Sequence, residues 1–345
     1  MTALGEPCSV PGVHMAGISK SFGGVDALRD VHFEAFRGEV HALCGENGAG
    51  KSTLMKILAG ALGDFTGHIE IHGQPVRFHG PRSAEDAGVR IIHQELNLVP
   101  DLTVAGNIFL GREQVARKRL GWLDENAMER LSASLFDRLG AAISPRQLVG
   151  DLRIGDQQMV EIAKALAFEA SIVIMDEPTS ALSDAEVARL FRVIDDLRRA
   201  GKAVIYISHK MNEVFTLADR VTVLRDGRFV ATSTRQETTP QRVVAWMVGR
   251  EITRVPQTTG PRPNSVGSPP LLEVSGLSLP RPQGTSRPAL SEIAFQLHAR
   301  EIVGIAGLLG AGRTELLEAL FGASPIPPSG SIKLSGQSVK FRTPA

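Results

Sequence analysis

The sequence contains little cysteine, and the cysteines it has form no pattern. Cys8 and Cys44 are the only two among 345 residues. Their spacing fits neither a metal site nor a disulfide framework. This excludes a disulfide-rich secreted scaffold and a cysteine-based zinc module as explanations of the fold. The simplest interpretation is a protein of a reduced, cytoplasmic compartment.

The chain also lacks a long apolar segment and a secretion signal. A membrane-spanning helix needs about 20 mostly apolar residues in a row, and no stretch of the sequence approaches that length. Residues 1–13 do not show the basic region and apolar run of a secretory signal. We therefore expect any role at a membrane to depend on a membrane-embedded partner.

An excess of charge of one sign is absent as well. The sequence has 38 Lys and Arg residues against 37 Asp and Glu residues, which leaves a net charge of +1. Because domains that coat nucleic acid usually carry a strong basic excess, we do not expect nucleic acid as a partner. The hydrophobic content of 43% and charged content of 22% are typical of a soluble globular protein, and the length suits about two domains.

Apolar runs that predict buried strands alternate with helical patterns in the first part of the chain. Residues 171–175 and 203–207 are such runs, and the segment 184–200 between them has apolar residues at helical spacing. A strand, helix and strand repeated in this way predict an α/β fold with a parallel sheet. This first domain is expected to cover residues 1–252.

Composition changes sharply after the first domain, and then the earlier pattern begins again. Residues 253–270 are rich in Pro, Gly, Ser and Thr without periodicity, which predicts a linker. The segment 39–51 is then echoed by 301–313, and the segment that starts at Gly67 is echoed from Gly330. We therefore expect residues 271–345 to be a partial second copy of the first domain.

A glycine-rich loop in the first copy matches the pattern G-x-x-x-x-G-K-[ST]. It follows an apolar strand over residues 40–44 and precedes a predicted helix over 52–61, which is the context that a phosphate-binding loop requires. Backbone N–H groups at a helix N-terminus attract phosphate, the lysine adds a charge, and the serine is placed to bind Mg²⁺. A glycine turn before a core helix is the alternative, but it needs neither lysine nor serine. The predicted ATP-binding residues are Gly45, Glu46, Asn47, Gly48, Ala49, Gly50, Lys51, Ser52 and Thr53.

Two carboxylates follow the apolar strand near residue 175. Asp176 and Glu177 are expected at the edge where ligands bind parallel sheets. Asp176 is predicted to hold Mg²⁺ through water, and Glu177 to polarise the water that attacks the γ-phosphate. An apolar strand that ends in two acids is common, so the prediction depends on the phosphate-binding loop about 130 residues earlier.

Together, the loop and the acids resemble the ABC ATPase family of P-loop NTPases. The resemblance implies an antiparallel β subdomain and a helical subdomain at about residues 95–168. It also implies that Gln94 senses Mg²⁺ and contacts a membrane partner, that His209 touches the γ-phosphate, and that Phe22 stacks on adenine. Outside this resemblance, Gln94 could cap a turn, and His209 and Phe22 could be ordinary core residues.

The family signature, usually L-S-G-G-Q, is matched with one departure. The expected serine donates to the γ-phosphate of a nucleotide held by the opposite domain, and an arginine replaces it here. A long cation could meet phosphate with a different geometry, or it could be a surface arginine at a helix start. The matching residues are Leu152, Arg153, Ile154, Gly155, Asp156 and Gln157.

In detail, the chain most resembles ATP-binding proteins of bacterial monosaccharide importers of the ribose, galactose and xylose type. The resemblance implies an ATPase at the cytoplasmic face of the inner membrane. Its partners would be permease subunits, a periplasmic sugar-binding protein and a second nucleotide-binding domain. Arg313 stands where the second phosphate loop would need lysine, which implies a weakly hydrolytic or silent second site.

Two alternatives remain open on the sequence. One is a soluble ABC protein of translation or DNA repair, although the long charged insertion expected of such proteins is absent. The other is a catalytically silent, ATP-binding remnant of a longer fused subunit. The importer interpretation further predicts that apolar residues between Gln94 and Phe109 dock on the permease, unless they pack inside the helical part of the domain.

Overall fold

The computed structural model describes residues 10–117, 122–250, 269–280, 289–307 and 311–340. The chain divides into two units, Met1–Thr253 and Arg254–Ala345. The predicted linker, residues 253–270, lies outside the described residues except for its last two positions. Within the described ranges, no helix combines the length and the apolar character needed to cross a membrane.

The first unit combines strands and helices in alternation. Its strands are β1 (Val13–Phe22), β2 (Val25–Ala35), β3 (Val40–Cys44), β4 (Thr66–Ile71), β5 (Gln74–Val76), β6 (Val89–Ile92), β7 (Val115–Arg117), β8 (Trp122–Leu123), β9 (Ile172–Asp176), β10 (Ala203–Ile207), β11 (Arg220–Arg225) and β12 (Arg228–Thr234). Its helices are α1 (Lys51–Leu58), α2 (Pro81–Asp86), α3 (Val104–Ile108), α4 (Glu125–Leu139), α5 (Ile154–Leu166), α6 (Asp184–Arg199), α7 (Met211–Leu217) and α8 (Pro240–Val248). A 3₁₀ turn, Val149–Asp151, precedes α5.

A six-stranded sheet forms the centre of the first unit. Its strand order is β12-β11-β3-β10-β9-β6, and all neighbours are parallel except β11 and β12. The predicted α/β class with a parallel sheet is therefore confirmed. Strands β3, β9 and β10 are buried along their whole length, as continuous apolar runs in a doubly covered sheet require.

The register of the parallel strands aligns their carboxyl ends. Ile207 of β10 pairs with Leu43 of β3 on one side and with Asp176 of β9 on the other. On the next strand, Ile92 of β6 pairs with Met175. The segments that follow these four strands therefore leave the sheet at one edge, where parallel α/β sheets bind their ligands.

Alternating side chains of the central strands separate two hydrophobic cores. Ile174 and Ile205 belong to a core shared with α1 and with an antiparallel sheet of order β2-β1-β4-β5. Met175 and Tyr206 point to the opposite side and belong to a core shared with α3, α4, α5 and α6. Because side chains alternate between the two faces of a strand, the central sheet packs against the antiparallel sheet on one face and against the helices on the other.

Helix α1 is shorter than the predicted span of 52–61. It begins at Lys51 and ends at Leu58, because Gly60 adopts a left-handed φ of 72°. The Gly60 N–H donates to the Ile57 carbonyl at 3.0 Å and closes the last turn. A glycine just beyond a helix commonly ends it in this way, so the end of α1 could have been predicted from Gly60 in the sequence.

The described part of the second unit repeats the antiparallel layer of the first. It contains β13 (Leu272–Leu279), β14 (Leu290–Leu297), α9 (Arg313–Phe321), β15 (Ser329–Leu334) and β16 (Gln337–Val339). The sheet order β14-β13-β15-β16 reproduces β2-β1-β4-β5. In this sheet β13 pairs with both β14 and β15, as β1 pairs with both β2 and β4 in the first unit.

Matching details show that the repeat extends to backbone conformation. A side chain at Gly67 would place its Cβ 2.6 Å from the Gly17 carbonyl oxygen, and one at Gly330 would place it 2.5 Å from that of Gly276. Both glycines have φ of 99°. Only glycine tolerates this conformation and this approach, which explains why both echoed segments start with it.

The segment that corresponds to β3 is not a strand in the second unit. In the first unit, β10 and β11 hydrogen-bond β3 from both sides. Among the described residues of the second unit, no strand corresponds to β10 or to β11, and Ile302 is 87% exposed. An apolar run without neighbouring strands cannot satisfy its backbone groups by sheet pairing.

Candidate active site

The glycine-rich loop connects the buried strand β3 to the N-terminus of α1. Gly50, the N-cap residue, has a left-handed φ of 95°, and the helix starts at Lys51. The Lys51 side chain folds back over the loop, where Nζ donates to the carbonyl oxygens of Gly45 at 2.8 Å and Glu46 at 2.9 Å. Lys51 is therefore held against the loop, with only 8% of the residue exposed, at the N-terminus of a helix, where negative charge is favoured.

Two carboxylates lie next to this loop at the end of β9. Asp176 is buried, and the Ser52 hydroxyl lies 3.4 Å from its Oδ2 atom. Glu177 follows with a left-handed φ of 46°, and its N–H donates to the Ile207 carbonyl at 3.0 Å. Such a φ is uncommon for a non-glycine residue, and the bond to β10 holds it in place.

Burial perturbs the charged groups of the site in opposite directions. Burial lowers the pKa of Lys51, although the Glu177 and Asp176 carboxylates act against this effect. Burial also raises the pKa of Asp176, and the negative charge of Glu177 raises it further, while Ser52 and Lys51 oppose the change. Clustered groups with perturbed pKa values in a cleft are typical of functional sites.

Glu177 is held between two side chains from other segments. Nε2 of Gln94 donates to its Oε2 atom at 3.2 Å, and Nδ1 of His209 lies 2.8 Å from its Oε1 atom. Gln94 follows β6 and His209 follows β10, so the aligned strand ends bring these residues to β9. The three side chains predicted separately from the sequence therefore form one hydrogen-bonded group.

A cleft of about 1000 Å³ contains the loop, the acids and this group. Phe22 lies at the cleft with 48% of its surface exposed, and Nζ of Lys20 lies 4.9 Å from its ring centroid. Ala49, by contrast, packs into the hydrophobic core and contributes only its backbone to the loop. The residues that line the cleft are Phe22, Ala27, Gly45, Glu46, Asn47, Gly48, Gly50, Lys51, Ser52, Thr53, Gln94, Asp176, Glu177, His209 and Met247.

Sequence reasoning missed a buried carboxylate behind the cleft. Glu213 of α7 accepts hydrogen bonds from the hydroxyl groups of Tyr206 at 2.6 Å and Thr179 at 2.8 Å, and Lys210 Nζ lies 3.0 Å away. Burial alone would raise the pKa of Glu213, but these hydrogen bonds outweigh it and lower the pKa. The network ties the segment after Glu177 to the segment around His209.

No local sequence motif predicts this network, because its residues lie on separate segments: Thr179 follows β9, Tyr206 lies on β10, and Glu213 lies on α7. Thr179 and Glu213 are 34 residues apart. Sequence reasoning also missed Ala27 and Met247 at the cleft, because a small or apolar residue has no local sequence pattern that marks it as part of a site. All of them could be identified only after the sheet had brought distant segments together.

The predicted signature segment forms a separate surface and does not line the cleft. Arg153 is the N-cap residue of α5, and its guanidinium group pairs with Asp156 at 2.8 and 3.1 Å and with Glu186 at 2.8 Å. Gln157 donates to the carbonyl oxygens of Leu152 at 3.0 Å and Val149 at 3.3 Å. Arg153 is thus neutralised within its own domain, as a surface arginine at a helix start would be.

The two glycine-rich loops differ at the position after their last glycine. In the first unit Lys51 is buried, whereas Arg313 at the start of α9 is exposed. Both helices follow a left-handed glycine N-cap, Gly50 and Gly312. Residues 308–310 of the second loop lie outside the described part of the chain, so its similarity to the first rests on this helix start and on the sequence.

A parallel sheet with a phosphate-binding loop after β3 and acids after β9 defines a P-loop NTPase. Residues 28–180 match the family model described as ABC transporter. A nucleotide-free ATP-binding cassette from an ABC transporter has the same fold, with a TM-score of 0.60 and 22% identity over 68% of this chain and 98% of that chain. The first unit therefore contains an ABC transporter ATP-binding domain.

Closer relatives cover nearly the whole sequence. A putative ribose/galactose/methyl galactoside import ATP-binding protein 2 of Burkholderia cenocepacia (strain HI2424) is 49% identical over 97% of this chain and 63% of that protein. A similarly named protein of Ralstonia nicotianae (strain ATCC BAA-1114 / GMI1000) is 47% identical over 96% of this chain and 62% of that protein. The chain thus spans less than two thirds of the length of these relatives.

Nucleotide binding should depend on Lys51. Hydrogen bonds to charged groups contribute roughly 1.5–3 kcal/mol, so Lys51→Ala should weaken binding of a fluorescent ATP analogue by about 10- to 100-fold. Lys56→Ala is the matched control, because Lys56 lies exposed on the same helix. Equal affinity of the Lys51 variant and the unchanged protein would show that the loop does not hold the nucleotide.

Proposed function

We propose that this chain binds Mg-ATP in the cleft and hydrolyses it to drive monosaccharide import through membrane permease subunits. The observation that supports hydrolysis most directly is the position of Glu177, between Gln94 and His209 and beside the phosphate-binding loop. The import role is supported by the names of the relatives, which cover almost the whole chain. The sugar is proposed to be ribose-like.

The donor atoms near the loop fit the proposed Mg²⁺. Ser52 offers a hydroxyl, Asp176 a carboxylate and Gln94 an amide oxygen, and Mg²⁺ prefers such oxygen ligands. All three residues line the same cleft. When bound, Mg²⁺ would neutralise phosphate charge and would oppose the burial that raises the pKa of Asp176.

In the proposed reaction, different side chains of the cleft bind the phosphates, stack on the adenine and accept the proton. Lys51 and the loop N–H groups hold the phosphates, and Phe22 offers an exposed aromatic face for the adenine. Glu177 accepts a proton from the attacking water as general base. His209, hydrogen-bonded to Glu177, orients that carboxylate and is proposed to contact the γ-phosphate.

A second candidate, nucleotide binding without hydrolysis, is favoured by one observation. The cation at the serine position of the signature, Arg153, is already paired with Asp156 and Glu186. To bind a nucleotide held by another domain, the Arg153 guanidinium group would have to share or give up its contacts with Asp156 and Glu186. Hydrolysis would then need a signature supplied by a different nucleotide-binding domain.

Removal of the Glu177 carboxylate distinguishes the two candidates. General-base assistance contributes roughly 10²- to 10⁴-fold in rate, so Glu177→Gln should lower Mg-ATP hydrolysis by that factor and leave nucleotide affinity unchanged. The measurement is phosphate release by the chain assembled with permease subunits, with Glu169→Gln, an exposed position outside the cleft, as control. If the unchanged protein does not hydrolyse ATP, nucleotide binding without hydrolysis is favoured. If the unchanged protein and the Glu177→Gln variant hydrolyse ATP at equal rates, Glu177 is not the general base.

Docking to the permease is proposed at a groove of about 300 Å³ beside β6. Arg90 and Arg112 lie over the Phe168 ring, at 5.8 and 5.2 Å from its centroid, and Leu110 lines the groove with 47% exposure. Among the apolar residues between Gln94 and Phe109, Ile108 and Phe109 are 1% and 2% exposed and pack in the helical core, as the alternative to docking expected. Val99 is exposed, and its part in docking stays a prediction.

Site-directed crosslinking tests this docking surface. Leu110→Cys should crosslink to a co-expressed permease, because Leu110 lines the groove and is 47% exposed. Phe229→Cys is the control, since Phe229 is 43% exposed but belongs to β12, at the other edge of the sheet from β6. Equal labelling of both cysteines by a water-soluble reagent in the assembled complex would contradict docking at Leu110. Such docking would place the chain at the cytoplasmic face of the inner membrane, with a sugar-binding protein on the far side.

A further inference from the structure

Two imidazoles and a carboxylate meet on the antiparallel sheet, outside the cleft. They belong to His14 of β1 and to His68 and Glu70 of β4. One donor atom from each residue lies within 4.8 Å of the other two. Nδ1 of His14 is 3.7 Å from Oε2 of Glu70, and the two imidazole rings stand edge to face with centroids 6.2 Å apart.

Strand register places the three side chains on one face. His14 pairs with Glu70, and Ala16, two residues along β1, pairs with His68. The intervening residues, Met15 and Ile69, pair with each other and are buried in the core. Because a shift of one residue would expose those core residues, the same register that packs the core also fixes the three polar groups together.

The spacing of these groups is close to that of a metal site. Zinc bonds to imidazole nitrogen and carboxylate oxygen are about 2.0–2.2 Å long, so tetrahedral ligand atoms lie about 3.3 Å apart. The His14–Glu70 separation of 3.7 Å is near this value. His68 needs a larger adjustment, which its exposed side chain can make by rotation without disturbing the buried face.

The donor types select the class of cation. Two imidazole nitrogens and one carboxylate oxygen suit Zn²⁺, Co²⁺, Ni²⁺ or Cu²⁺, whereas Mg²⁺ and Ca²⁺ prefer oxygen alone. The charge around the group is compatible with a cation, because Glu34 of β2 pairs with His14 from its other side. The Glu34 carboxylate accepts from Arg220 at 2.9 Å, so it leaves Glu70 as the available anionic ligand.

We propose that His14, His68 and Glu70 bind one divalent transition-metal ion of the zinc class, with water in the remaining coordination positions. The metal links β1 to β4 directly, in addition to their backbone hydrogen bonds. The site is independent of the proposed ATPase activity, because none of its three residues lines the nucleotide cleft. Metal binding should therefore persist when the cleft is inactivated.

Calorimetric titration of the tag-free full chain with ZnCl₂ tests the site. We expect one equivalent of Zn²⁺ and a dissociation constant on the order of micromolar, as for a partial ligand set on an exposed surface. His14→Asn, His68→Asn and Glu70→Gln should each weaken binding by at least about 10-fold.

Two histidines outside the site supply matched controls. His32 of β2 is exposed and has one carboxylate partner, Asp30, at 3.4 Å, and His209 has Glu177 as its partner in the cleft. His32→Asn and His209→Asn should leave Zn²⁺ affinity unchanged. Circular dichroism would establish that all variants fold. Unchanged affinity in both the His14 and His68 variants, or no heat of binding at about 100 μM Zn²⁺, would overturn the proposal.

Discussion

The alignment of parallel strand ends is the constraint on which the candidate site depends. Pairing of Ile207 with both Leu43 and Asp176 sets β3, β10 and β9 in one register. As a result, the phosphate-binding loop, the two acids and His209 leave the sheet at the same edge. A shift of one strand by a single residue would reverse which side chains face each core, so the hydrophobic pattern that stabilises the sheet also fixes the geometry of the cleft.

The charges in the cleft fit the proposed ligand, Mg-ATP, which would bring both phosphate and a cation. Burial disfavours the charged form of Lys51 and that of Asp176 at the same time. Lys51 compensates by donating to loop carbonyl groups, which phosphate oxygens can replace. The hydrogen bonds of Glu213 to Thr179 and Tyr206 connect the backbone segments that carry Glu177 and His209, and such preorganisation is what electrostatic stabilisation of a reaction requires.

Local patterns made two parts of the candidate site predictable from the sequence. The structure brings the predicted glycine-rich loop and the predicted acids, at the end of β9, into one cleft, and their roles stay predictions. Both could be predicted because a glycine-rich turn and a strand end have characteristic residues at fixed spacing. Glu213, Ala27 and Met247 were not predicted, because their roles arise from contacts between distant segments. For a related reason the sequence left open which apolar residues between Gln94 and Phe109 are buried, because a residue such as Phe109 looks the same in sequence whether it is buried or exposed.

The central claim is that one cleft, in the first unit, binds the nucleotide and that the loop before Arg313 does not. Equilibrium dialysis of the 345-residue Glu177→Gln chain against radiolabelled Mg-ATP measures this directly, because the substitution prevents loss of the ligand by hydrolysis. The account predicts one ATP bound per chain, with an affinity about 10- to 100-fold lower when Lys51→Ala is added. Two ATP per chain, or one bound with unchanged affinity in the double variant, would contradict it.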